Sequence, residues 1–514
     1  MPLYTPESPN PTHQQREVDV ERLLQRVPTG ILVGGSWRES SDASTLAVEN
    51  PATGKTLVDI SSATVADGAA ALDAATATAR SWARTAPRER AEILRRAFDL
   101  LIERTEDFAT LISLEMGKPL AQARGEVTYG AEFFRWFSEE AVRVDGRWAM
   151  APDGRTRLLT MRQPVGPTLM ITPWNFPLAM GTRKIGPAIA AGCTMVIKPA
   201  SQTPLTMLAL ADLLREAGVP AGVLNVIPTK TSGAVMTPLI TDPRLRKLTF
   251  TGSTPVGKNL IRQSADQVLR VSMELGGNAP FLVFDDADLD AAVEGAMLAK
   301  MRNMGEACTA ANRFFVHESI ATEFAGLLAE RMSKEVLGPG ISDGVTVGPL
   351  IDAKQRSKVA ELVDDATSRG ADIATGGTVL DGPGYFYTPT VLTNVHPASA
   401  VLREEIFGPV APIATFTDDD AAIARANDTE YGLAAYVFTE SMSRTIAVSE
   451  ALDFGMIGVN QGIVSNAAAP FGGMKQSGFG REGGYEGIDE YVETKYVGLD
   501  PHVGSATPRR TTVR

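Results

Sequence analysis

Residues 193–229, CTMVIKPASQTPLTMLALADLLREAGVPAGVLNVIPT, decide the fold. The stretch opens on a short apolar run between Gly192 and Pro199 and passes into apolar residues at helical spacing. It stops at Gly218 and Pro220 and ends in a second apolar run. Short continuous apolar runs suit strands buried on both faces, and a glycine followed closely by a proline ends a helix. The pattern extends both ways, through PTLMITPW (167–174) before it and LRKLTFTG (245–252) after it. This strand–helix alternation predicts an α/β class and a doubly wound domain.

A second α/β section is expected from Met273 onward. APFLVFDDADLDAAVEGAMLAKMRN (279–303) and ANRFFVHESIATEFAGLLAERM (311–332) each read as strand then helix. VRVDGRWAMAPDGRTRLLTMRQP (142–164) places two β-rich runs around a turn signal and reads as a projecting hairpin. GIDEYVETKYVGL (487–499) alternates like a strand with nothing local to pair with, an edge that invites another subunit. Residues 1–15 and 501–514 read as flexible tails.

At 514 residues the chain is long enough for two to four domains. A net charge of −12 argues against a nucleic-acid footprint and, more weakly, against anionic membrane surfaces. Cys193 and Cys308 form no CxxC pair and no disulfide scaffold, which fits a reducing compartment. The N-terminal residues carry no secretory pattern, and no apolar run is long enough to span a membrane, so the expected location is the cytoplasm. His13, His317, His396 and His502 are scattered, and no metal site is expected.

Two glycine motifs invite a nucleotide reading. GFGREG (478–483) fits GxGxxG but follows no apolar strand and opens no long helix. GSTPVGKN (252–259) resembles a P-loop, but Asn259 stands where a hydroxyl would meet Mg²⁺. What survives is a glycine/serine loop entering a helix N-terminus, suited to some phosphate, or an ordinary cap by Ser253 or Thr254.

The chemistry gathers in four other segments. PWNFP (173–177) puts Asn175 just after one buried strand, and KPASQTP (198–204) puts Lys198 after the next. MELGGN (273–278) sets Glu274 before a Gly-Gly pair, and NMGEACTAANR (303–313) supplies Cys308. Each residue alone could be a turn amide, a solvated lysine, a helix cap or a core cysteine. Together they supply a thiol, a carboxylate base, an amide donor and a cation, the parts for covalent chemistry at a carbonyl.

These segments, with FTGSTPVG, EEIFGP and PFGGMKQSGFGREGG, occur in an order that resembles the NAD(P)-dependent aldehyde dehydrogenase superfamily from about residue 31 to 499. MGTRKIGPAIAAGCTMVIKPASQTP and GIVSNAAAPFGGMKQSG place it nearest the succinate-semialdehyde branch. The resemblance removes the P-loop reading and implies a Rossmann-like cofactor domain (16–140 and 163–272), an α/β catalytic domain (273–484) and a β-arm for oligomerisation (141–162 and 485–500). A homodimer or homotetramer is expected. Cys308 is implied as nucleophile, Glu274 as base and Asn175 as oxyanion donor. Cofactor contacts are implied for Thr172, Pro173, Trp174, Lys198, Ser201, Gly252, Ser253, Gly257, Leu275, Glu405 and Phe407. Arg183, Arg302 and Ser465 are implied as holders of the substrate's distal carboxylate.

The expected activity is oxidation of succinate semialdehyde to succinate. Glutarate semialdehyde or an aliphatic aldehyde is the enzymatic alternative, and a structural or binding protein on the same fold the non-enzymatic one. Two positions depart from the family pattern, and a third bears on the cofactor. Glu306 replaces the usual Gln two residues before the nucleophile. Ala310 removes the second cysteine that some relatives use in a redox disulfide. Ser201 stands where many NAD-preferring relatives carry a Glu, so NADP is expected to be accepted and preferred, with NAD possible and dual use the main rival.

Overall fold

The computed structural model describes residues 11–501. An eight-stranded sheet has the order Ser36–Arg38, Ile31–Val33, Leu224–Val226, Met195–Lys198, Thr168–Ile171, Lys247–Thr251, Arg270–Glu274 and Gly478–Phe479. Its five central strands are parallel, and antiparallel strands close both edges. Every residue of Thr168–Ile171 and Met195–Lys198 is buried. Alternate side chains serve opposite faces. Met170, Met195 and Ile197 pack into one cluster with Leu94, Phe134 and Ile189. Leu169, Ile171 and Val196 pack into another with Leu72, Val235 and Phe250. Burying each such side chain contributes roughly 1.5–3 kcal/mol, which is why these strands read as unbroken apolar runs.

The chain winds outward from Thr168–Ile171 through Met195–Lys198 to Leu224–Val226. It then returns to lay Lys247–Thr251 and Arg270–Glu274 on the other side of the first strand. The strand order therefore switches between Thr168–Ile171 and Lys247–Thr251. In open α/β sheets ligands bind beyond the carboxyl ends of the strands at such a point. Ile171 pairs with Lys198 and Phe250, and Thr251 with Glu274, so these strand ends lie in line.

A seven-stranded sheet forms the second body, in the order Asp372–Thr375, Thr390–Thr393, Val410–Phe416, Ala311–His317, Ala279–Val283, Ala434–Phe438 and Met456–Val459. All neighbours are parallel except the first pair. Phe281 and Phe314 fill one face, while Leu282, Phe315 and Val437 fill the other. A third sheet of three antiparallel strands, Val492–Leu499, Arg157–Pro164 and Arg147–Met150, stands apart.

Several boundaries drawn from sequence move. The strand Arg270–Glu274 carries the first sheet two residues past the expected division at 272, and Gly478–Phe479 returns to that sheet from within 273–484. Thr251 and Met273 have buried strand neighbours to pair with, which a local pattern does not reveal. The hairpin strand runs to Pro164 because it pairs along its whole length with Val492–Leu499. That closing strand thus finds a partner within its own chain. The N-terminal stretch is helical from Pro11 to Arg26, so 11–15 belong to a helix rather than a tail. The remainder of the two expected tails, residues 1–10 and 502–514, lies outside the described residues.

Candidate active site

Cys308 lies three residues before the buried central strand Ala311–His317. The loop leading to it turns through Asn303, Met304 and Gly305, with φ of 58°, 53° and 75°. Left-handed backbone at a non-glycine residue costs on the order of 1–3 kcal/mol and persists only where the surroundings enforce it. Here they do. Asn303 N donates to Gln122 Oε1 at 2.5 Å, and Asn303 Nδ2 donates to Asn175 O (3.0 Å) and Glu306 O (2.8 Å). Asn175 Nδ2 donates to the same Glu306 carbonyl at 3.0 Å. One of its two N–H groups is used in this way, and the other remains for a substrate oxygen.

The Asn175 backbone is fixed by Lys118, which is fully buried. Its ammonium donates to Asn175 O (2.9 Å), pairs with Glu126 Oε2 (2.5 Å) and lies 4.1 Å from the Phe176 ring centre. Nothing in the local sequence marked Lys118, Glu126, Gln122 or Asn303, because their partners lie far away along the chain.

Cys308 and Asn175 open onto a cavity of about 210 Å³ bordered by Trp174, Met180, Gly252, Leu275, Glu405 and Phe407. Burial pushes the Cys308 thiol up to about 12, with Arg183 pulling it down, Glu405 and Glu274 pushing it up and Arg302 pulling it down more weakly. Glu274 is buried with both carboxylate oxygens lacking a hydrogen-bond partner. Burial, then the nearby Glu482 charge, holds it well above the ordinary carboxylate range. Its neighbour Gly277 must be glycine, since a Cβ there would collide with the Cys308 carbonyl. Glu306 accepts from Ile351 N at 3.1 Å through one oxygen, while the other is buried and unpartnered; burial raises its pKa well above normal.

The strand ends supply features that fit a nucleotide. Ser253 is the N-cap of helix Thr254–Ser264 yet makes no side-chain capping bond, which leaves first-turn N–H groups and a hydroxyl for a phosphate. A Cβ at Gly257 would collide with Leu275, and one at Gly252 with the Phe250 ring, so backbone and helix approach closely only as glycines. Lys198 is buried, has a pKa lowered to about 8 by burial, and makes no hydrogen bond or ion pair among the described residues. Ser201 is half-buried and donates to Gln202 Oε1 at 3.2 Å.

At the other rim Glu405 accepts from Gly277 N at 3.0 Å, and burial raises it to about 7. Phe407 adopts φ of 54°, its carbonyl accepts from Gln355 Nε2 at 2.7 Å, and its ring meets Trp174 edge-on at 5.3 Å. Lys358 Nζ donates to Glu405 O at 2.7 Å. Gln355 and Lys358 are further cavity residues that sequence reading missed. Pro173 also borders the cavity, and Thr172 N donates to Lys198 O at 3.2 Å, tying the two strand ends.

The three residues expected to hold a distal carboxylate are placed unequally. Arg302 packs 5.1 Å from the Phe176 ring centre and 5.9 Å from that of Tyr129, with no ion-pair partner among the described residues. Ser465 lines a neighbouring cavity of about 470 Å³ together with Tyr129. Arg183, by contrast, is already engaged. Its Nη2 lies 2.7 Å from Glu482 Oε2, and its guanidinium stacks 3.8 Å from the Phe471 ring centre. Glu482 also pairs with Lys184 at 2.5 Å, and it comes from the GFGREG stretch set aside as a nucleotide motif.

Both cysteines are free, and Cys193 is buried with its Sγ donating to Tyr491 O at 3.3 Å. Among the described residues no group of three or more His, Cys, Asp or Glu could hold a metal, and no helix is long and apolar enough to cross a membrane.

Comparison with known proteins matches this arrangement. The model of the "Aldehyde dehydrogenase family" covers residues 37–497. A succinate-semialdehyde dehydrogenase of Paenarthrobacter nicotinovorans is 60% identical over 87% of this chain and 99% of its own. A glutarate-semialdehyde dehydrogenase of Pseudomonas putida is 48% identical over 90% of this chain and 96% of its own. The crystal structure of an E. coli NADP-dependent enzyme superposes with a TM-score of 0.91 at 48% identity, covering 93% of this chain and 99% of that one. With the Cys308 thiol, the Glu405 carboxylate and the Asn175 amide bordering one cavity at the switch point of the first sheet, and with this likeness running nearly end to end, the chain belongs to the aldehyde dehydrogenase family.

Proposed function

We propose that the protein oxidises succinate semialdehyde to succinate, with NADP preferred and NAD possible. The observation that carries the substrate is Arg302, an uncompensated guanidinium six residues before the nucleophile. A guanidinium beside an aromatic wall recognises a carboxylate by forked, charge-assisted donors. The glutarate-semialdehyde relative makes the homologue one methylene longer the second reading.

Cys308, once deprotonated, attacks the aldehyde carbon, and the free Asn175 N–H receives the oxyanion. Such a donor is worth about 2.7–4 kcal/mol of barrier. A bound nicotinamide would supply the acceptor for the hydride that this carbon must lose. Cys308 then carries a thioester, and Glu274 takes a proton from water so that hydroxide releases the acid and the thiol. Lys198 and Ser201 hold the adenosine ribose, Gly252, Ser253 and Gly257 accommodate the pyrophosphate, and Thr172, Pro173, Trp174, Leu275, Glu405 and Phe407 shape the remaining contacts. The eight-stranded body binds the cofactor, the seven-stranded body carries the nucleophile, and the three-stranded arm joins subunits into a cytoplasmic homodimer or homotetramer.

The test is kcat/KM for succinate semialdehyde, glutarate semialdehyde and butanal with each cofactor. Succinate semialdehyde with NADP is expected to lead. Arg302→Ala is expected to raise KM for succinate semialdehyde far more than for butanal, and equal effects would refute the carboxylate clamp. Ser201→Glu places like charge against a 2′-phosphate and shifts preference toward NAD. A parent that already prefers NAD tenfold would overturn the reading of Ser201.

A further inference from the structure

Tyr129, on the helix Leu120–Glu140, has no role in the chemistry described above. Its ring is locked edge-to-face on Phe133, with centres 5.1 Å apart. Its Oη is buried and has no hydrogen-bond partner. A buried phenol usually finds one, and leaving it unpaired is unfavourable. The polar groups facing it are the guanidinium groups of Arg183 and Arg302 and the Ser465 hydroxyl, which lies alongside without completing a bond of ordinary geometry. Of the acidic groups around it, Glu482 is paired with Arg183 and Lys184, while Glu132 and Glu139 of its own helix border the same cavity beside Arg135. The phenol therefore stands between a cation that shares the Glu482 carboxylate and one with no ion-pair partner among the described residues, at the border of the cavity that also holds Ser465.

We infer that Tyr129 is a specificity-determining residue that donates its hydroxyl proton to the distal carboxylate of the aldehyde, alongside Arg302 and Ser465. This rests on the carboxylated-aldehyde reading above. Arg183, held on the Glu482 carboxylate that it shares with Lys184, flanks the phenol on the other side. Burial keeps the phenol protonated, so it is a donor over the working pH range. Arg302 is held by ring packing alone, so turning toward an anion lets the same anion reach Oη. An uncharged aldehyde offers no acceptor at that depth and gains nothing from the hydroxyl.

The experiment compares the parent, Tyr129→Phe and Arg302→Ala on succinate semialdehyde and on butanal, which has the same chain length. The Phe variant keeps the ring packing and removes one hydroxyl. Its KM for succinate semialdehyde is expected to rise roughly 10- to 100-fold, the loss typical of a hydrogen bond to a charged group. Its kcat and its constants for butanal are expected to stay within about twofold, since the reacting carbon is untouched. Unchanged KM in Tyr129→Phe, with Arg302→Ala still selective against succinate semialdehyde, would overturn the tyrosine assignment and leave the substrate reading intact. Equal losses on both aldehydes would show a packing role and overturn it as well. A parent that does not discriminate between the two aldehydes would sink the substrate reading itself, and the tyrosine's role with it.

Discussion

Burial decides the charge of Glu306, two residues before the nucleophile. An ionised carboxylate there would oppose the thiolate, but burial raises the pKa of this side chain well above the ordinary carboxylate range, against the pull of the Ile351 N–H on one oxygen, and so disfavours ionisation. An amide has the same shape and retains the acceptor. Glu306→Gln is therefore expected to keep kcat/KM within about twofold at neutral pH, whereas Glu306→Ala leaves the Ile351 N–H unpaired at a cost of roughly 1–3 kcal/mol. A steady-state comparison of the three proteins decides it, and a large gain in Glu306→Gln would mean the carboxylate is ionised. The sign of the pH dependence follows from the two reacting groups. Cys308 is raised to about 12 and Glu274 is raised well above its ordinary value, and both must lose protons to act. Reactivity of the free enzyme is thus expected to climb with pH. The rate of Cys308 alkylation by iodoacetamide should still be increasing above pH 9, and a plateau by pH 8 would contradict the buried-thiol account. Cys308→Ala should lose dehydrogenase turnover while cofactor binding, followed by fluorescence titration, persists.

Among the elements, the helix Leu205–Glu216 shows how a segment legible in sequence is finished by a distant one. Its N-cap position is Pro204, which makes no side-chain cap bond. The first-turn N–H groups of Leu205 and Thr206 are instead accepted by Glu115 at 2.7 and 2.9 Å, from the helix Thr105–Met116. Burial raises Glu115 to about 8 even though these N–H groups pull the other way. A carboxyl raised on folding contributes fully below its unfolded value near 4.5, and that contribution is lost as pH rises toward 8, because the unfolded chain sheds the proton first. Glu115→Gln does not titrate. Its thermal midpoint is expected to gain on the parent as pH moves from 5 to 8, and a constant difference across that range would show that Glu115 is ionised throughout. Glu115→Ala strands both N–H groups and should lower the midpoint at every pH.

Across the whole molecule, the arm sheet carries exposed apolar side chains on one face, with Arg157 and Lys495 among them. Register places Trp148, Met150, Leu159, Met161, Val497 and Leu499 on the same side. Trp148 and Met150 are 61% and 59% exposed, and Met161 and Leu499 each 39%. An apolar strip of this kind marks an interaction surface, and a second copy of the chain fits the role assigned to the arm. Trp148→Glu is expected to shift the protein to a smaller assembly in sedimentation velocity, with the thiol still titratable. An unchanged sedimentation coefficient would remove the arm from the interface.

Sequence by itself determined the buried strands, since a strand covered on both faces must be apolar at every position, and that rule is local. It also pointed to the candidate reacting set: Lys198 and Glu274 end such strands, and Asn175 and Cys308 lie shortly after and shortly before one, so locating the strands locates them. It did not determine which charges are available. Arg183 and Arg302 look alike in the chain, and only the fold brings Glu482 to the first and leaves the second to aromatic rings. Lys184 and Glu482 lie 298 residues apart, beyond the reach of any local pattern. Lys118, which no local pattern marks, is an internal brace for Asn175. The physical reason is one of range. Hydrophobic patterning acts between neighbours in sequence, whereas the charge on a buried group depends on how much water the entire fold removes and on which distant partners it brings within a few ångströms.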